Sequence, residues 1–407
     1  MEYKLKDLVE IKYGKNQKNV KNSNGVYPIL GTGGVMDFAD DFLYDKPSVL
    51  IGRKGSIGKV KYIEKPFWTI DTLFYTVVKE NLVLPKYLYY KLSQIDFNYY
   101  NEGTTIPSLR TETLYKISID IPNIKTQKNV VKVLSNIDWK IELNQKIIAN
   151  LEELSQTLFK RWFVDFEFPD ENGNPYKSSG GEMVDSELGE IPINWNLVKL
   201  GSIANIRTGY AFKSTEYIEQ IQLPVLRTLN ISKSNLLVTM NDIKFVPYQY
   251  LYMDKYQKYN LELFDTLLVT VGGSIGNLGL VTENNLPSLQ NQNMWRFRSI
   301  KSNISNTLIY QLILYVNSLV YNQTSGSARE FYTKKTFENF NLLLPKLDSY
   351  LYESINKYLE NFGKKISDLN VEIEKLTQLR DTLLPKLMSG EIEIPDDIEV
   401  NEDELSI

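Results

Sequence analysis

The chain has 407 residues, 43% of them apolar, with neither Cys nor His. That length allows two or three domains with real cores. The missing residue types exclude disulfides, Cys/His zinc sites, thiol nucleophiles and every general-base scheme built on imidazole.

The net charge of −4 hides a segmental division. Residues 1–125 carry 18 Lys+Arg against 14 Asp+Glu, and residues 196–346 carry 15 against 9. Residues 166–195, with 1 against 7, and residues 391–407, with 0 against 8, hold the negative charge. Two basic globular segments are therefore joined to one acidic connector and one acidic tail. No apolar run approaches the roughly 20 residues of a membrane span. The opening MEYKLKDLVEIKYGK lacks the apolar centre of a signal peptide, so the expected location is cytoplasmic.

In chain order, residues 1–125 form a mixed segment. SVLIG, LFYTVV and KISIDI read as strands broken by Gly, Asn and Pro. PKYLYYKLSQID reads as a helix ahead of a GTTIPSL loop. Residues 126–165 are a helix whose apolar positions follow 4-3 spacing, Val130, Leu134, Ile137, Ile141, Asn144, Ile148, Leu151, Ser155, Leu158 and Trp162. Eight of these ten are apolar, which is a heptad seam of coiled-coil type. Residues 166–195 are rich in Pro, Gly, Asn, Ser and acids and read as an exposed connector. Residues 196–346 repeat the mixed pattern, with NTLIYQLILYVNSLVYNQ as the helix before GSAREF. Residues 347–390 repeat the seam through Ile355, Leu359, Phe362, Ile366, Leu369, Ile373, Leu376, Arg380, Leu383 and Leu387. Residues 391–407 read as a solvated, partly disordered tail.

The two halves are copies. GSIG occurs at Gly55–Gly58 and again at Gly273–Gly276. Gly14 matches Gly209, YPILGTGG matches LPVLRTLN, Gly103 matches Gly326 and Pro122 matches Pro345. The order is kept while the offset drifts from 195 to 223, the largest insertion being about 22 residues between Asn230 and Asp265. The fold class is α+β, with two tandem mixed α/β domains, two long helices and a pseudo-two-fold repeat. The seam residues assigned to the helix–helix interface are Ile137, Ile141, Ile148, Leu151, Leu158, Phe362, Ile366, Leu369, Ile373, Leu376 and Leu383.

No stretch carries a reaction. GRKGSIGKV fails as a Walker A loop, because Arg53 stands where the first Gly belongs and Val60 where a hydroxyl would hold magnesium. GTGG is not a dinucleotide fingerprint. NPY at Asn174–Tyr176 reads as a turn, and PDEN lacks the acid and Lys of a nuclease. A binding role remains. Gly-rich loops with Lys, Arg, Ser, Thr and Asn suit nucleic acid, since backbone N–H groups and hydroxyls take phosphates and Arg and Asn read base edges. The candidate DNA contacts are Lys15, Asn16, Lys18, Thr32, Arg53, Lys54, Ser56, Thr104 and Thr105 in the first copy. In the second they are Tyr210, Lys213, Arg227, Asn230, Ser274, Gln292, Arg329 and Lys334. No metal site is expected.

The chain resembles the specificity (S) subunits of type I restriction–modification systems nearly end to end. The resemblance rests on VLIGRKGSIGKV, GTTIPSL, LSQTLFKRWFVDFEFP, NGNPYKSSGGEMVDSELGEIPINW and LRDTLLPKLMSGEI. It implies that residues 1–125 and 196–346 are target-recognition domains, each for one half of a bipartite DNA site. It implies that the two helices pack antiparallel and hold the domains apart. It further implies that this chain has no active site or cofactor of its own. Two modification subunits would use S-adenosylmethionine, and restriction subunits would use ATP and Mg2+. The second copy has AREFY where TIPSL would fall, so loop-level roles transfer poorly between copies. A recognition subunit of another restriction–methylation system, and a coiled-coil scaffold that never touches DNA, are the alternative readings. The first seam spans 33 residues, on the order of 50 Å. Short half-sites with centres about one DNA turn apart and a spacer of fixed length are therefore expected.

Overall fold

The computed structural model describes residues 1–186, 189–233, 235–323 and 332–394. The chain divides into two compact units, one of residues 1–140 with the segment from Leu376 onward, the other of residues 141–375. No helix among the described residues is long and apolar enough to cross a membrane.

The first module contains β1 (Glu2–Lys4), β2 (Val9–Tyr13), β3 (Tyr27–Gly31), β4 (Gly34–Ala39), β5 (Ser48–Gly52), β6 (Val60–Ile63), β7 (Trp68–Thr69), β8 (Leu73–Val78) and β9 (Ser118–Asp120). An antiparallel sheet has the order β2-β8-β5-β6, and a smaller sheet has the order β4-β3-β7. β1 pairs with β9. The fully buried SVLIG run of β5 suits an inner strand. Helix Pro85–Ser93 closes one face, and its Pro at the start is preset for helical φ. Tyr87, Leu88, Tyr90 and Leu92 of this helix join Val49, Ile51 and Phe74 in one core.

The second module repeats this order strand for strand. β12 (Trp195–Lys199), β13 (Ala204–Thr208), β14 (Leu223–Leu226), β15 (Lys244–Val246), β16 (Thr266–Val269), β17 (Leu278–Leu280), β18 (Leu289–Gln290), β19 (Met294–Ser299) and β20 (Asn341–Pro345) follow a connector hairpin of β10 (Met183–Ser186) and β11 (Gly189–Pro192). The sheets are β13-β19-β16-β17, β15-β14-β18 and β12-β20, the same topology as in the first module. Helix Asn306–Gln323 takes the place of helix Pro85–Ser93.

One steric detail marks the duplication. A Cβ on Gly14 would lie 2.0 Å from the Ile70 carbonyl oxygen, and a Cβ on Gly209 would lie 2.0 Å from that of Asn291. Any side chain there collides with backbone, so both positions require Gly. The adjoining bonds match too. Lys15 N–H donates to Thr69 O at 2.8 Å, and Tyr210 N–H donates to Gln290 O at 3.0 Å.

The extra residues of the second module fall in two places. Seventeen residues separate β14 from β15 where two separate β3 from β4, and nineteen against eight separate the next strand pair. The first of these loops returns along the sheet edge, with Leu280 N–H bonded to Leu236 O at 2.9 Å. The second ends at Asp265, which is fully buried and accepts from Arg298 Nε at 2.7 Å and Nη2 at 2.6 Å.

The long helices are Ile124–Phe163 and Tyr350–Ser389, 40 residues each. Asn123 Oδ1 caps the first by accepting from Thr126 N–H at 2.9 Å. Gly390, at φ +78°, ends the second in the left-handed region. Within each unit the helix segments run antiparallel. In the first unit Val130 and Leu134 share a core with Leu384, Leu387 and Met388, and Arg380 Nη1 bonds Asp138 Oδ1 at 3.2 Å. In the second, Asn144 Nδ2 donates to Glu372 Oε2 at 2.9 Å and Trp162 meets Tyr358 edge-on at 6.2 Å.

Ile137, Ile141, Ile148, Ile366 and Leu369 are buried, and Leu151, Leu158, Phe362, Ile373, Leu376 and Leu383 are half-buried. The seam serves more than the opposite helix. Ile148, Ile366 and Leu369 belong to the core that also holds Leu308, Ile309 and Phe337 of the second module. Ser367 Oγ accepts from Glu283 N–H at 3.1 Å.

The connector and the first four residues of the tail, 391–394, bury apolar side chains that their acidic composition does not announce. Phe168 is buried and stacks on Trp195 at 5.5 Å and on Tyr176 at 4.5 Å. Ile394 packs against the core of the first unit. Residues 395–407 lie outside the described residues.

Leu151→Asp and Leu376→Asp each put a carboxylate on the half-buried seam, at a cost of about 1–3 kcal/mol or local opening. Thermal melts of the full chain check this. The expected outcome is a lowered transition for each variant, and unchanged melting for both would mean that the seam is misplaced.

Candidate nucleic-acid interface

In the first module three loops meet around Arg53. Arg53 N–H donates to Thr72 O at 2.8 Å, Leu109 N–H to Arg53 O at 2.9 Å and Gly55 N–H to Pro107 O at 2.9 Å. The GRKGSIG loop is thus laced to the GTTIPSL loop. The Arg53 guanidinium lies 4.9 Å from the Tyr13 ring centroid and donates to Asp71 O at 2.9 Å. Stacking on a ring face and a backbone anchor hold this cation in place.

Asn101, absent from the sequence-derived candidates, organises the second loop. Its Oδ1 accepts from Gly103 N–H and Ser108 N–H, both at 2.9 Å, and its Nδ2 donates to Gly103 O at 3.2 Å. Thr104, Thr105 and Ile106 between these anchors are exposed. Lys54 and Ser56 are exposed beside them, and Lys54 bridges to Ser108. Lys15, Asn16 and Lys18 are exposed on the loop after the Gly14 crossing, where Asn16 Oδ1 accepts from Lys18 N–H at 2.8 Å. Thr32 is half-buried in the turn between β3 and β4. Burial, with Lys59 as neighbour, lowers the pKa of Lys61 beside that turn.

The second module offers a different surface. Tyr210 follows the Gly209 crossing, and its carbonyl accepts from Gln292 N–H at 2.9 Å. Lys213 is exposed. Arg227 Nη2 bonds Asp242 O, and Arg227 N–H donates to Asn230 Oδ1 at 2.9 Å. Asn230 does not meet the expectation of a DNA contact. It is fully buried, with Nδ2 donating to Asn241 O at 2.8 Å, so it forms a turn and does not present an edge to a base. Gln292 is half-buried, and Ser274 is half-buried in a short turn of helix at Gly272–Ser274. Lys334 is exposed and paired with Glu338 at 3.3 Å. Arg329 lies outside the described residues.

The second module also carries an aromatic cluster that the sequence pattern did not single out. Tyr210, Phe212, Tyr217, Tyr250, Tyr256 and Tyr259 pack together. Tyr256 stacks on Tyr250 at 4.1 Å, and its hydroxyl donates to Glu216 at 2.7 Å. Burial, with the Glu216 and Tyr250 bonds, raises the Tyr256 phenol well above its ordinary range. The density of Tyr between residues 245 and 260 was the signal that could have found it.

Among the described residues no group of three or more acidic side chains gathers to hold a metal ion. The two modules expose loops, ammonium groups and ring faces.

Comparison with known proteins agrees with this geometry. The type I restriction modification DNA specificity domain matches residues 1–153 and again 192–378. The chain belongs to the type I restriction–modification specificity family. It is 24% identical over 366 residues to the MjaIX specificity subunit of Methanocaldococcus jannaschii, covering 86% of this chain and 79% of that protein. It is 24% identical over 387 residues to the HindI specificity subunit of Haemophilus influenzae, covering 80% and 81%. A crystal structure of an S subunit from M. genitalium superposes with a TM-score of 0.62 at 20% identity, covering 95% of each chain. The two matched segments cover the two copies of the module and most of the long helix that follows each.

Removing the Asn101 amide should loosen the GTTIPSL loop by about 1–2 kcal/mol, the worth of its backbone bonds. Amide exchange at Gly103 and Ser108 in Asn101→Ala is the check, with faster exchange at those sites and little change in global melting as the expected outcome.

Proposed function

We propose that this chain reads a bipartite duplex DNA site, one part per module, on behalf of a cytoplasmic complex in which other subunits do the chemistry. The observation that carries this reading is the duplication itself. Two modules share one framework, down to the paired Gly crossings, and differ in the loops mounted on it. A shared frame with divergent loops suits two readers of different sequences. The basic balance of both modules, against an acidic connector, suits a polyanionic partner.

This chain then has no catalytic role. Two modification subunits using S-adenosylmethionine, and restriction subunits using ATP and Mg2+, complete the complex. The paired helices serve as their docking place and set the DNA spacer. The test is co-expression with a modification gene from the same host, followed by sequencing of methylated bases in the host DNA. A single bipartite motif with a spacer of fixed length is the expected result.

Two further outcomes follow. Affinity of the assembled complex for its site should fall with log[salt] at a slope of about −0.9 per phosphate neutralised. A salt-insensitive interaction would instead favour the scaffold reading. Replacing residues 1–125 by the corresponding part of a relative should change one half of the methylated motif and leave the other half intact. A change in both halves would show that the modules do not read independently.

A further inference from the structure

The second module has a feature with no counterpart in the first. Its loop between β15 and β16 carries PYQYLYMDKYQKYN, and the corresponding loop of the first module is eleven residues shorter. The loop is built on rings. Tyr256 is 2% exposed and lies between Tyr250 at 4.1 Å and Phe212 at 5.9 Å, with interplanar angles of 7° and 9°. Tyr210 meets Tyr256 edge-on at 5.1 Å, which fastens the loop to the residue after the Gly209 crossing. The insert is therefore a fixed platform.

Its exposed side chains include aromatic and cationic ones. Tyr252 is 67% exposed, Tyr248 and Met253 are each 44% exposed, and the two Tyr rings stand 6.1 Å apart. Lys258 lies 5.3 Å from the Tyr259 ring, Lys244 lies 5.0 Å from Tyr217, and Lys255 lies 4.9 Å from Tyr210. Of the nearby acids, Glu216 is taken up by Tyr256 and lies 3.9 Å from Lys255. Asp254 is exposed at the start of the short helix.

We propose that Tyr248, Tyr252 and Lys258 form a duplex DNA contact peculiar to the second module, one that sets recognition of the half-site read by that module. The assignment rests on the reading that the modules bind DNA. Phenol rings on a rigid base offer large amphipathic contact at low entropic cost. The Lys258 ammonium, held over the Tyr259 ring of the same loop, suits a phosphate, and the Tyr hydroxyls suit sugar and base-edge oxygens. A protein occupant is disfavoured by the asymmetry. A partner subunit that docks on both copies would use features both copies share, and this platform exists in one.

The experiment uses the full chain assembled with its modification subunits. Three duplexes serve as probes, one with the intact site, one with the first half-site scrambled and one with the second scrambled. The variants are Tyr248→Ala with Tyr252→Ala, Lys258→Gln alone, and Tyr252→Phe alone. All three positions face outward, and circular dichroism melts verify folding. The double variant should bind the intact site at least tenfold more weakly. Its penalty for scrambling the second half-site should shrink to near nothing, while the penalty for the first stays at the parent value. Lys258→Gln should lower the salt slope by about one, and Tyr252→Phe should keep the ring-dependent part of the discrimination. Affinity within twofold of the parent and both penalties unchanged would overturn the proposal. So would loss of subunit assembly with DNA discrimination intact, which would mark a protein-docking face. A parent complex that shows no penalty for either scrambled half-site would instead strike the DNA-reading function itself.

Discussion

Each module depends on a close backbone crossing that only Gly permits. At Gly14 and Gly209 the chain leaves the larger sheet and passes within contact distance of the carbonyls that follow β7 and β18. Gly14 N–H reaches Leu73 O at 3.1 Å, and Gly209 N–H reaches Met294 O at 3.4 Å. These bonds extend the larger sheet, and the next ones, from Lys15 N–H to Thr69 O of β7 at 2.8 Å and from Tyr210 N–H to Gln290 O of β18 at 3.0 Å, tie it to the smaller one. The loop that follows therefore leaves from a fixed point, carrying Lys15 in one copy and Tyr210 in the other. An Ala at either Gly would have to push two backbone segments apart, so the side chains on the loop can vary while its origin cannot.

The helices add a second constraint, which is register. An apolar seam alone tolerates sliding by a heptad. Polar links punctuate this one, Arg380 with Asp138 in the first unit and Asn144 with Glu372 in the second. Asp138 also accepts from the Tyr90 hydroxyl at 2.6 Å, which binds the helix pair to the first module. Burial and this bond hold the Tyr90 phenol well above its ordinary range. A slipped pairing would leave Asn144 buried without its partner and the Asp138 charge unpaired, at a cost of several kcal/mol. Such links favour one register more than they strengthen it.

The heptads were legible because a 3.5-residue period held over ten positions is rarely met by chance. The duplication of the modules was legible through the Gly and Pro positions that repeat at drifting offsets, and the order of the strands within a module was not. Residue roles were less so. Asn230 sits in a turn-forming string, and sequence alone gives a turn-capping Asn and a base-reading Asn the same appearance. The 22-residue insertion read as one event, whereas β15 divides it, because a three-residue strand leaves almost no periodic signal. The acidic composition of 166–195 concealed Phe168, whose ring is buried on Trp195, and Tyr176, which stacks on Phe168. The tail holds the same alternation, EIEIP against DFEFP. Ile394 accordingly packs on the core of the first unit, and an average over the segment hides such a pattern.

Divergence of the modules is inexpensive for a physical reason. Lengthening a loop costs only about 0.6 kcal/mol per doubling in closure entropy. The two enlarged connections of the second module offset that cost by burying their own side chains. Leu236, Leu237 and Val238 cover the edge of β17, and Tyr250 and Tyr256 stack over Phe212. The interior adapts where the insert arrives. Arg296, buried on β19, donates to Asn205 Oδ1 at 3.1 Å and to the carbonyl of Asn260 at the end of the insert. Burial lowers the pKa of its guanidinium to about 10. In the first module the matching strand, β8, is the apolar LFYTVV run, which has no inserted carbonyl to satisfy. The frame thus holds both loop origins in place. The length and chemistry of what extends from each can then change with only local repacking, as two readers on one chain require.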